Sequence, residues 1–231
     1  MLIIPVIDLM GGQVVHAQGG KRADYQPLRS QICTSSDPEK VIADLLEWFA
    51  FPVMYIADLD AIETGQQNLA WYRRLTERFP QLTFWLDAGI RHQQDWQRWQ
   101  SLAQIKPIIG SESLQDIELL ALLKQSNGVL SLDFRHGKLL GQYDLLGMVE
   151  DWPQQIIVMS LDAVGTNEGP DNERLKMLQS LKPDAAVFAA GGVRGEKDLT
   201  DMAGAGVSGA LIASALHNGK LSVEMIKQLN N

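Results

Sequence analysis

The sequence predicts an α/β fold in which eight strands alternate with helices along 231 residues. Apolar runs of strand length are separated by amphipathic stretches from one end of the chain to the other. Most of these runs are continuously apolar, as in parallel strands whose two faces are both covered. Eight strand–helix units in a chain of this length favour a closed (β/α)8 TIM barrel over an open doubly wound sheet.

The apolar runs define the predicted strands. In chain order they are Leu2–Ile7, Val53–Ala57, Leu82–Leu86, Pro107–Ile109, Val129–Leu132, Ile156–Leu161, Ala185–Ala190 and Gly209–Ile212. The first helix is predicted after Asp37, because a capping side chain, a first-turn Pro38 and apolar residues at helical spacing follow one another. Further helices are predicted near residues 68–78, 93–103, 112–125, 144–151, 171–181, 196–204 and 222–229.

The same pair of loops recurs in both halves of the chain. Gly192 follows the seventh predicted strand, and Gly89 follows the third at a shift of 103 residues (192 − 89). Ser214 and Ser111 follow the eighth and fourth strands at the same shift (214 − 111). The sequence therefore predicts one domain over residues 1–231, built from two half-barrels of approximately residues 1–125 and 126–231.

These loops have the composition of phosphate-binding loops. Glycine lets the backbone approach an oxyanion, and free N–H groups at a turn or a helix start point at it, although paired glycines also form plain turns. A carboxylate at Asp87 would repel a phosphate bound after the third strand unless a cation or a proton offsets it. The candidate phosphate-binding residues are Gly191, Gly192, Ala213 and Ser214 in the second half and Gly89, Arg91, Gly110 and Ser111 in the first, with Arg194 as a substrate contact.

Two aspartates end strands that face each other across the predicted barrel. Asp8 ends the first strand and Asp133 ends the fifth. A single aspartate at a strand end usually caps the following turn, but two at equivalent positions of a repeat favour catalysis. Such a pair can act as general acid and base, because burial or the neighbouring charge can keep one carboxyl protonated. A long substrate with a phosphate at each end would span the mouth, with its reacting centre above these two carboxylates.

Composition limits the remaining functions. The net charge is −8 and no basic stripe is present, so nucleic acid is not an expected partner. The apolar runs are shorter than the roughly 18–20 residues of a membrane span, and no leader-like segment is seen, so we expect a cytoplasmic protein. The single cysteine, Cys33, excludes an internal disulfide, and the four histidines lack zinc-type spacing, so no metal is expected. The oligomeric state is left open.

Motifs along nearly the whole chain resemble those of the HisA/HisF group of histidine biosynthesis, and within it the phosphoribosylformimino-aminoimidazole-carboxamide ribotide isomerases. The matching motifs are Pro5-Val6-Ile7-Asp8-Leu9, Ala57-Asp58-Leu59-Asp60-Ala61, Gly89-Ile90-Arg91, Ser131-Leu132-Asp133, Gly165-Thr166, Gly169-Pro170-Asp171 and Ala189-Ala190-Gly191-Gly192-Val193. The resemblance implies two phosphate sites, an Amadori rearrangement of an aminoaldose to an aminoketose, and no metal or organic cofactor. It also implies that Asp8 is the base, that Asp133 and Thr166 assist, and that Tyr143 lies near the position of a stacking tryptophan.

The chain departs from these isomerases at two places. They have Arg-Asp-Gly-Thr after the sixth strand, where this chain has Val164 in place of the aspartate, and Asp162 is the candidate replacement. Their three glycines after the third strand are replaced by Asp87-Ala88-Gly89. Three functions therefore stay open: the isomerase itself, a related enzyme that uses one phosphate anchor for a different substrate in another cofactor or sugar pathway, and a non-catalytic protein that binds a phosphorylated metabolite.

Overall fold

Eight parallel strands close into a barrel in the computed structural model, which describes residues 1–17, 22–126, 128–166 and 168–230. Strand β1 pairs in parallel with both β2 and β8, which closes the sheet and confirms the predicted TIM barrel. All eight predicted strands are present, with ends shifted by up to three residues. They are β1 (Leu2–Met10), β2 (Val53–Asp58), β3 (Thr83–Asp87), β4 (Ile105–Gly110), β5 (Val129–Arg135), β6 (Gln155–Ser160), β7 (Ala186–Ala190) and β8 (Gly209–Ile212).

The helices lie between the strands and cover the outside of the barrel. They are α1 (Pro38–Trp48), α2 (Leu59–Thr64), α3 (Leu69–Arg78), α4 (Gln93–Trp99), α5 (Leu119–Gln125), α6 (Asn172–Leu181), α7 (Glu196–Gly204), α8 (Ser214–His217) and α9 (Val223–Asn230). Helix α1 begins as predicted, because the Asp37 side chain accepts a hydrogen bond from the Lys40 N–H at 3.0 Å. No helix among the described residues is long and apolar enough to cross a membrane.

The helix predicted over residues 144–151 is wrong. Two short 3₁₀ turns, Leu145–Gly147 and Val149–Asp151, occupy this segment. The Asp144 side chain accepts a hydrogen bond from the Gly147 N–H at 3.3 Å, which closes a tight turn in place of a helical one. The helix predicted over residues 112–125 is also shorter than expected, since only its last seven residues are helical.

The barrel interior is filled by alternate residues of the strands. Side chains such as Ile4, Tyr55, Trp85 and Phe188 form a buried cluster distinct from the apolar layer under the helices. The rings of Trp85 and Phe188 meet edge to face at 4.8 Å between centroids. Because side chains in a strand point to opposite faces with a period of two, the same inward-facing rows lead from Ile4 to Asp8 and from Trp85 to Asp87. The barrel is therefore plugged with apolar side chains below and carries carboxylates at its upper end.

The two longest connections lie at the carboxyl ends of the strands. The chain after β1 returns as a short strand, Gln13–His16, that pairs antiparallel with β1. It is then attached to α8, where Ser30 Oγ lies 2.9 Å from His217 Nδ1 and the Gln31 N–H donates to the His217 carbonyl at 2.8 Å. These contacts hold the β1 loop over the upper end of the barrel, the face on which TIM barrels build their active sites.

Candidate active site

An open cavity of about 160 Å³ lies at the carboxyl ends of the strands. Residues at or just after the upper ends of all eight strands line it. Asp8 and Asp133, from strands on opposite sides of the barrel, both belong to this lining. The two carboxylates singled out from the sequence therefore face the same cavity, at the same end of the barrel.

Asp8 lies at the wall of this cavity, and no donor among the described residues makes a hydrogen bond to its carboxyl group. The surrounding barrel wall removes water from its carboxyl group, and this desolvation raises the pKa of Asp8 to about 7. A carboxyl group with such a pKa loses and gains a proton readily near neutral pH. Asp8 can therefore act as a general base or a general acid.

Asp133 is held more tightly. Its side chain is only 8% exposed, and it accepts hydrogen bonds from Ser131 Oγ at 2.6 Å, Ser111 Oγ at 3.3 Å and the Glu112 N–H at 3.3 Å. Desolvation is the main cause that raises the pKa of Asp133 to about 7, and the nearby charge of Asp87 adds to it against the opposing effect of Ser131. The hydrogen bonds fix the direction of the carboxyl group, while burial brings its proton affinity close to that of Asp8.

A third carboxylate, Asp87, lines the same cavity beside Asp133. It accepts hydrogen bonds from the Gly89 N–H at 3.2 Å and from Tyr55 Oη at 3.4 Å, and desolvation raises its pKa to about 6. A Cβ atom on Gly110 would lie 2.9 Å from Asp133 Oδ2 and 3.8 Å from Asp87 Oδ2. The missing side chain at Gly110 thus makes room for both carboxylates on one side of the mouth.

Glycines form the opposite side of the mouth. Gly191 and Gly192 have φ angles of +96° and +82°, in the left-handed region that favours glycine. A Cβ atom would lie 2.5 Å from the Ser160 carbonyl oxygen at the first position and 2.1 Å from that of Gly169 at the second, so neither position admits a side chain. Both glycines line the cavity together with Ala213 and Ser214. We call these four residues the glycine cradle.

A model of the family described as "Histidine biosynthesis protein" matches residues 2–222. The chain belongs to the histidine biosynthesis protein family. This agrees with the resemblance found in its motifs.

Relatives of this family member cover almost its whole length. An uncharacterized protein of Methanocaldococcus jannaschii is 34% identical over 98% of this chain and 97% of its own length. Two proteins named 1-(5-phosphoribosyl)-5-((5-phosphoribosylamino)methylideneamino) imidazole-4-carboxamide isomerase are each 26% identical. The one from Leuconostoc mesenteroides aligns over 99% of this chain and 100% of its own length, and the one from Nitrosopumilus maritimus over 100% of both.

The first-half phosphate candidates of this family member do not line the cavity. Gly89 packs against helix α2, where a Cβ atom would lie 2.7 Å from Ile62 Cα. The Arg91 guanidinium donates to the Ile62 carbonyl at 2.7 Å. Ser111 is 2% exposed and bonded to Asp133, and Gly110 lies beneath the carboxylates. Each of these residues has a structural partner inside the protein.

Two other predicted site residues are also bonded elsewhere. Asp162 is 42% exposed and pairs with His136 Nδ1 at 3.2 Å, outside the cavity lining. Thr166 Oγ1 donates to the Ala163 carbonyl at 3.2 Å, while its neighbours Val164 and Gly165 line the cavity. A catalytic role for Asp162 or Thr166 therefore requires that its side chain first leave these partners.

The predicted substrate contacts Tyr143 and Arg194 have partners as well. Tyr143 Oη donates to the Gln115 carbonyl at 2.8 Å. The Arg194 guanidinium binds Asp198 through Nε at 2.9 Å and Nη2 at 2.7 Å, and its side chain is 55% exposed. Neither residue belongs to the cavity lining.

Several polar residues of the cavity lining were not selected from the sequence. Tyr55, Glu112, Arg22 and Arg135 all face the cavity. The inward register of β2 could have indicated Tyr55, because Tyr55 lies two residues before Ala57 on the same face of the strand. The arginines lie in or next to the loops after β1 and β5, whose paths have no sequence signal. Among the described residues, no three His, Cys, Asp or Glu side chains are arranged to hold a metal ion.

Proposed function

We propose that this protein is an isomerase that converts a phosphorylated aminoaldose into an aminoketose by acid–base catalysis. The observation that carries the proposal is the placement of Asp8 and Asp133 in one cavity beside the glycine cradle, each with a pKa raised to about 7. The family supports it, because relatives that align with the whole chain are named isomerases. The fold alone would not support the proposal, since TIM barrels catalyse many different reactions.

The glycine cradle is the proposed anchor for a substrate phosphate. Within the described residues, the N–H groups of Gly191, Gly192 and Ser214 have no hydrogen-bond acceptor in the chain. They are free to donate to phosphate oxygens, and the two glycines allow those oxygens a close approach. Binding energy from the phosphate would then hold the sugar carbons over the carboxylates.

The two carboxylates divide the chemistry of the rearrangement. Ring opening needs a proton on the ring oxygen as the bond from that oxygen to C1 breaks, which leaves C1 doubly bonded to nitrogen. The base then removes the C2 proton to give an enolamine, and protonation at C1 with loss of the O2 proton gives the ketone. We assign the base role to Asp8, whose carboxylate has no donor among the described residues, and the acid role to Asp133, which its hydrogen bonds hold in place.

Two substrates are candidates for this reaction. The first is the imidazole-4-carboxamide ribotide after which the relatives are named. The second is a different, singly phosphorylated aminosugar, and Val164 and Asp87 favour it because both line the cavity where isomerases of the resembled type have an aspartate and a glycine.

Turnover of the purified protein tests the proposal. The ribotide should be converted under the first candidate, and complementation of a histidine auxotroph should follow. A protein that fails with the ribotide but isomerises another phosphorylated aminosugar would establish the second candidate. Ligand binding that is unchanged in Asp8→Asn, with no turnover of any aldose, would instead identify a non-catalytic phosphometabolite-binding protein. Asp184→Asn is the matched control, because Asp184 is exposed next to the opposite end of β7.

A further inference from the structure

The two halves of the barrel treat equivalent loops differently. At the shift of 103 residues, Gly89 corresponds to Gly192 and Ser111 to Ser214. In the second half, the N–H groups of Gly192 and Ser214 have no acceptor among the described residues. In the first half, the Gly89 N–H donates to Asp87 Oδ1 at 3.2 Å and the Ser111 N–H donates to the Ser131 carbonyl at 2.8 Å. Donors that are open in one half are occupied in the other.

Carboxylates of the chain accept several of the hydrogen-bond donors in the first-half loops. Asp87 accepts the Gly89 N–H, and Asp133 accepts the Glu112 N–H at 3.3 Å together with the Ser111 hydroxyl. These groups come from the two loops that, by the repeat, would hold a first-half phosphate. Because Gly110 has no side chain, the carboxylates of Asp87 and Asp133 occupy the space between the two loops in which a ligand would otherwise bind.

Charge also opposes a phosphate on this side. The pKa of Asp87 is about 6, so its carboxyl group is mostly ionised above pH 7. Arg91, the first-half cation that could offset it, is turned to the Ile62 carbonyl. Arg22 does act on Asp87, but it also faces Glu63 at 3.6 Å. A phosphate on the first-half side would meet the Asp87 carboxylate, whereas a phosphate in the glycine cradle meets N–H groups.

We infer that the substrate of this isomerase carries a single phosphate, bound in the glycine cradle, and has an uncharged or cationic group at its other end, because Asp87 and Asp133 fill the first-half counterpart of the cradle. This inference rests on the proposed function for the position of the phosphate. It adds that a substrate with a phosphate at each end does not fit the wild-type site.

Binding measurements test the inference without any turnover. Isothermal titration with inorganic phosphate, ribulose 5-phosphate and ribulose 1,5-bisphosphate gives the stoichiometry and the relative affinities. Wild-type protein should bind one phosphate per chain, and the second phosphate of the bisphosphate should add less than about threefold in affinity, since it meets no open donors. Two phosphates per wild-type chain, or a bisphosphate that binds about ten times more tightly than the monophosphate, would overturn the inference.

The Asp87→Asn variant supplies the decisive comparison. The amide oxygen can still accept the Gly89 N–H, while the negative charge is removed. We expect the bisphosphate to bind at least about tenfold more tightly than to wild type, with the monophosphate unchanged. The control Asp184→Asn removes an equal charge near the opposite end of the barrel and should change neither ligand. Equal bisphosphate affinities in wild type and Asp87→Asn would refute the role of Asp87.

A stability change in Asp87→Asn can be separated from these effects. Asp87→Ser keeps a hydrogen-bond acceptor with less bulk, and it should also raise the affinity for the bisphosphate.

Failure of the proposed function looks different from failure of this inference. A wild-type protein that binds phosphate outside the glycine cradle, with its affinity unchanged by Gly192→Ala, would remove the anchor itself and both conclusions with it. A bisphosphate bound tightly through the glycine cradle would contradict only the single-phosphate inference.

Discussion

Replacing Asp8 by asparagine should reduce activity and increase stability in the same variant. Asparagine has nearly the same shape, so substrate affinity should stay within about threefold, but it cannot accept the C2 proton. Loss of a general base costs on the order of 10² to 10⁴ in kcat. Turnover and KM of the wild-type and variant proteins give this ratio directly.

The stability change follows from the position of Asp8 in the barrel. Its pKa is about 7 in the folded protein, against an ordinary value of 3.8 for an aspartate in the unfolded chain. The folded state therefore binds more protons between these values, and this group's contribution to stability falls as pH rises from about 4 to 7. Removing the ionisable group should then stabilise the fold by up to about 4 kcal/mol at pH 8 and by under about 2 kcal/mol at pH 5.

Thermal unfolding at both pH values checks this expectation. For a chain of this size, 1 kcal/mol shifts Tm by roughly 2–4 °C, so the gain at pH 8 should approach about 10 °C. The opposing interpretation is that Asp8 is a strand-end residue that caps a turn, and it predicts a lower Tm with little change in kcat. A variant that is less stable at pH 8 and still active would refute both the assignment of the base and the burial argument behind it.

Three further results are expected. The pH dependence of activity should show apparent pKa values near 7 that belong to Asp8 and Asp133 as a pair, so kcat should fall on both sides of neutrality. A profile that is flat from about pH 5 to 9 would exclude the two residues as the general acid and base. Gly192→Ala should lower kcat/KM at least about 100-fold, because the phosphate anchor is lost. Gly12 has a similar φ of +76° and nothing within 4 Å of its Cβ, so Gly12→Ala should keep activity and cost about 1 kcal/mol of stability. Asp162→Asn should change kcat less than about threefold, because its carboxylate is paired outside the cavity; a loss near that of Asp8→Asn would make it the acid.

The barrel could be predicted from the sequence because its strands are buried on both faces. Continuous apolar runs such as Ile156–Val158 have few other stable environments in a water-soluble chain, and their number and spacing then favour closure. The carboxylates at Asp8 and Asp133 could also be found, since a polar residue at the end of such a run must lie at the rim. The structure of segment 144–151 could not be predicted, because over so few residues the hydrogen bond to the Asp144 side chain competes with helical hydrogen bonds.

Which residues face the cavity was harder to predict than which strands exist. Tyr55 and Asp87 are placed by the inward register of their strands, and one residue of error would point either side chain at the helices. Arg22 and Arg135 reach the cavity from connections whose geometry depends on tertiary contacts, such as the bond between Ser30 and His217. The glycine motifs indicated both loop pairs. They do not show whether the N–H groups of a loop already donate hydrogen bonds to acceptors within the chain.

The closure of the barrel also orients the proposed substrate. Strand β8 is hydrogen-bonded to β1, so the glycine cradle lies on the Asp8 side of the mouth, whereas Asp87 and Asp133 share the other side across Gly110. A phosphate bound in the cradle therefore places the adjacent sugar carbons near Asp8 first and brings Asp133 to the same carbons from across the barrel. The far end of the molecule then reaches Asp87 and Tyr55. Both side chains can accept a hydrogen bond from an amine or hydroxyl group, and the Asp87 carboxylate repels an anion. The predicted half-barrel repeat therefore puts a carboxylate on each side of the reacting carbons, while among the described residues one of its two loop pairs keeps open donors for a phosphate.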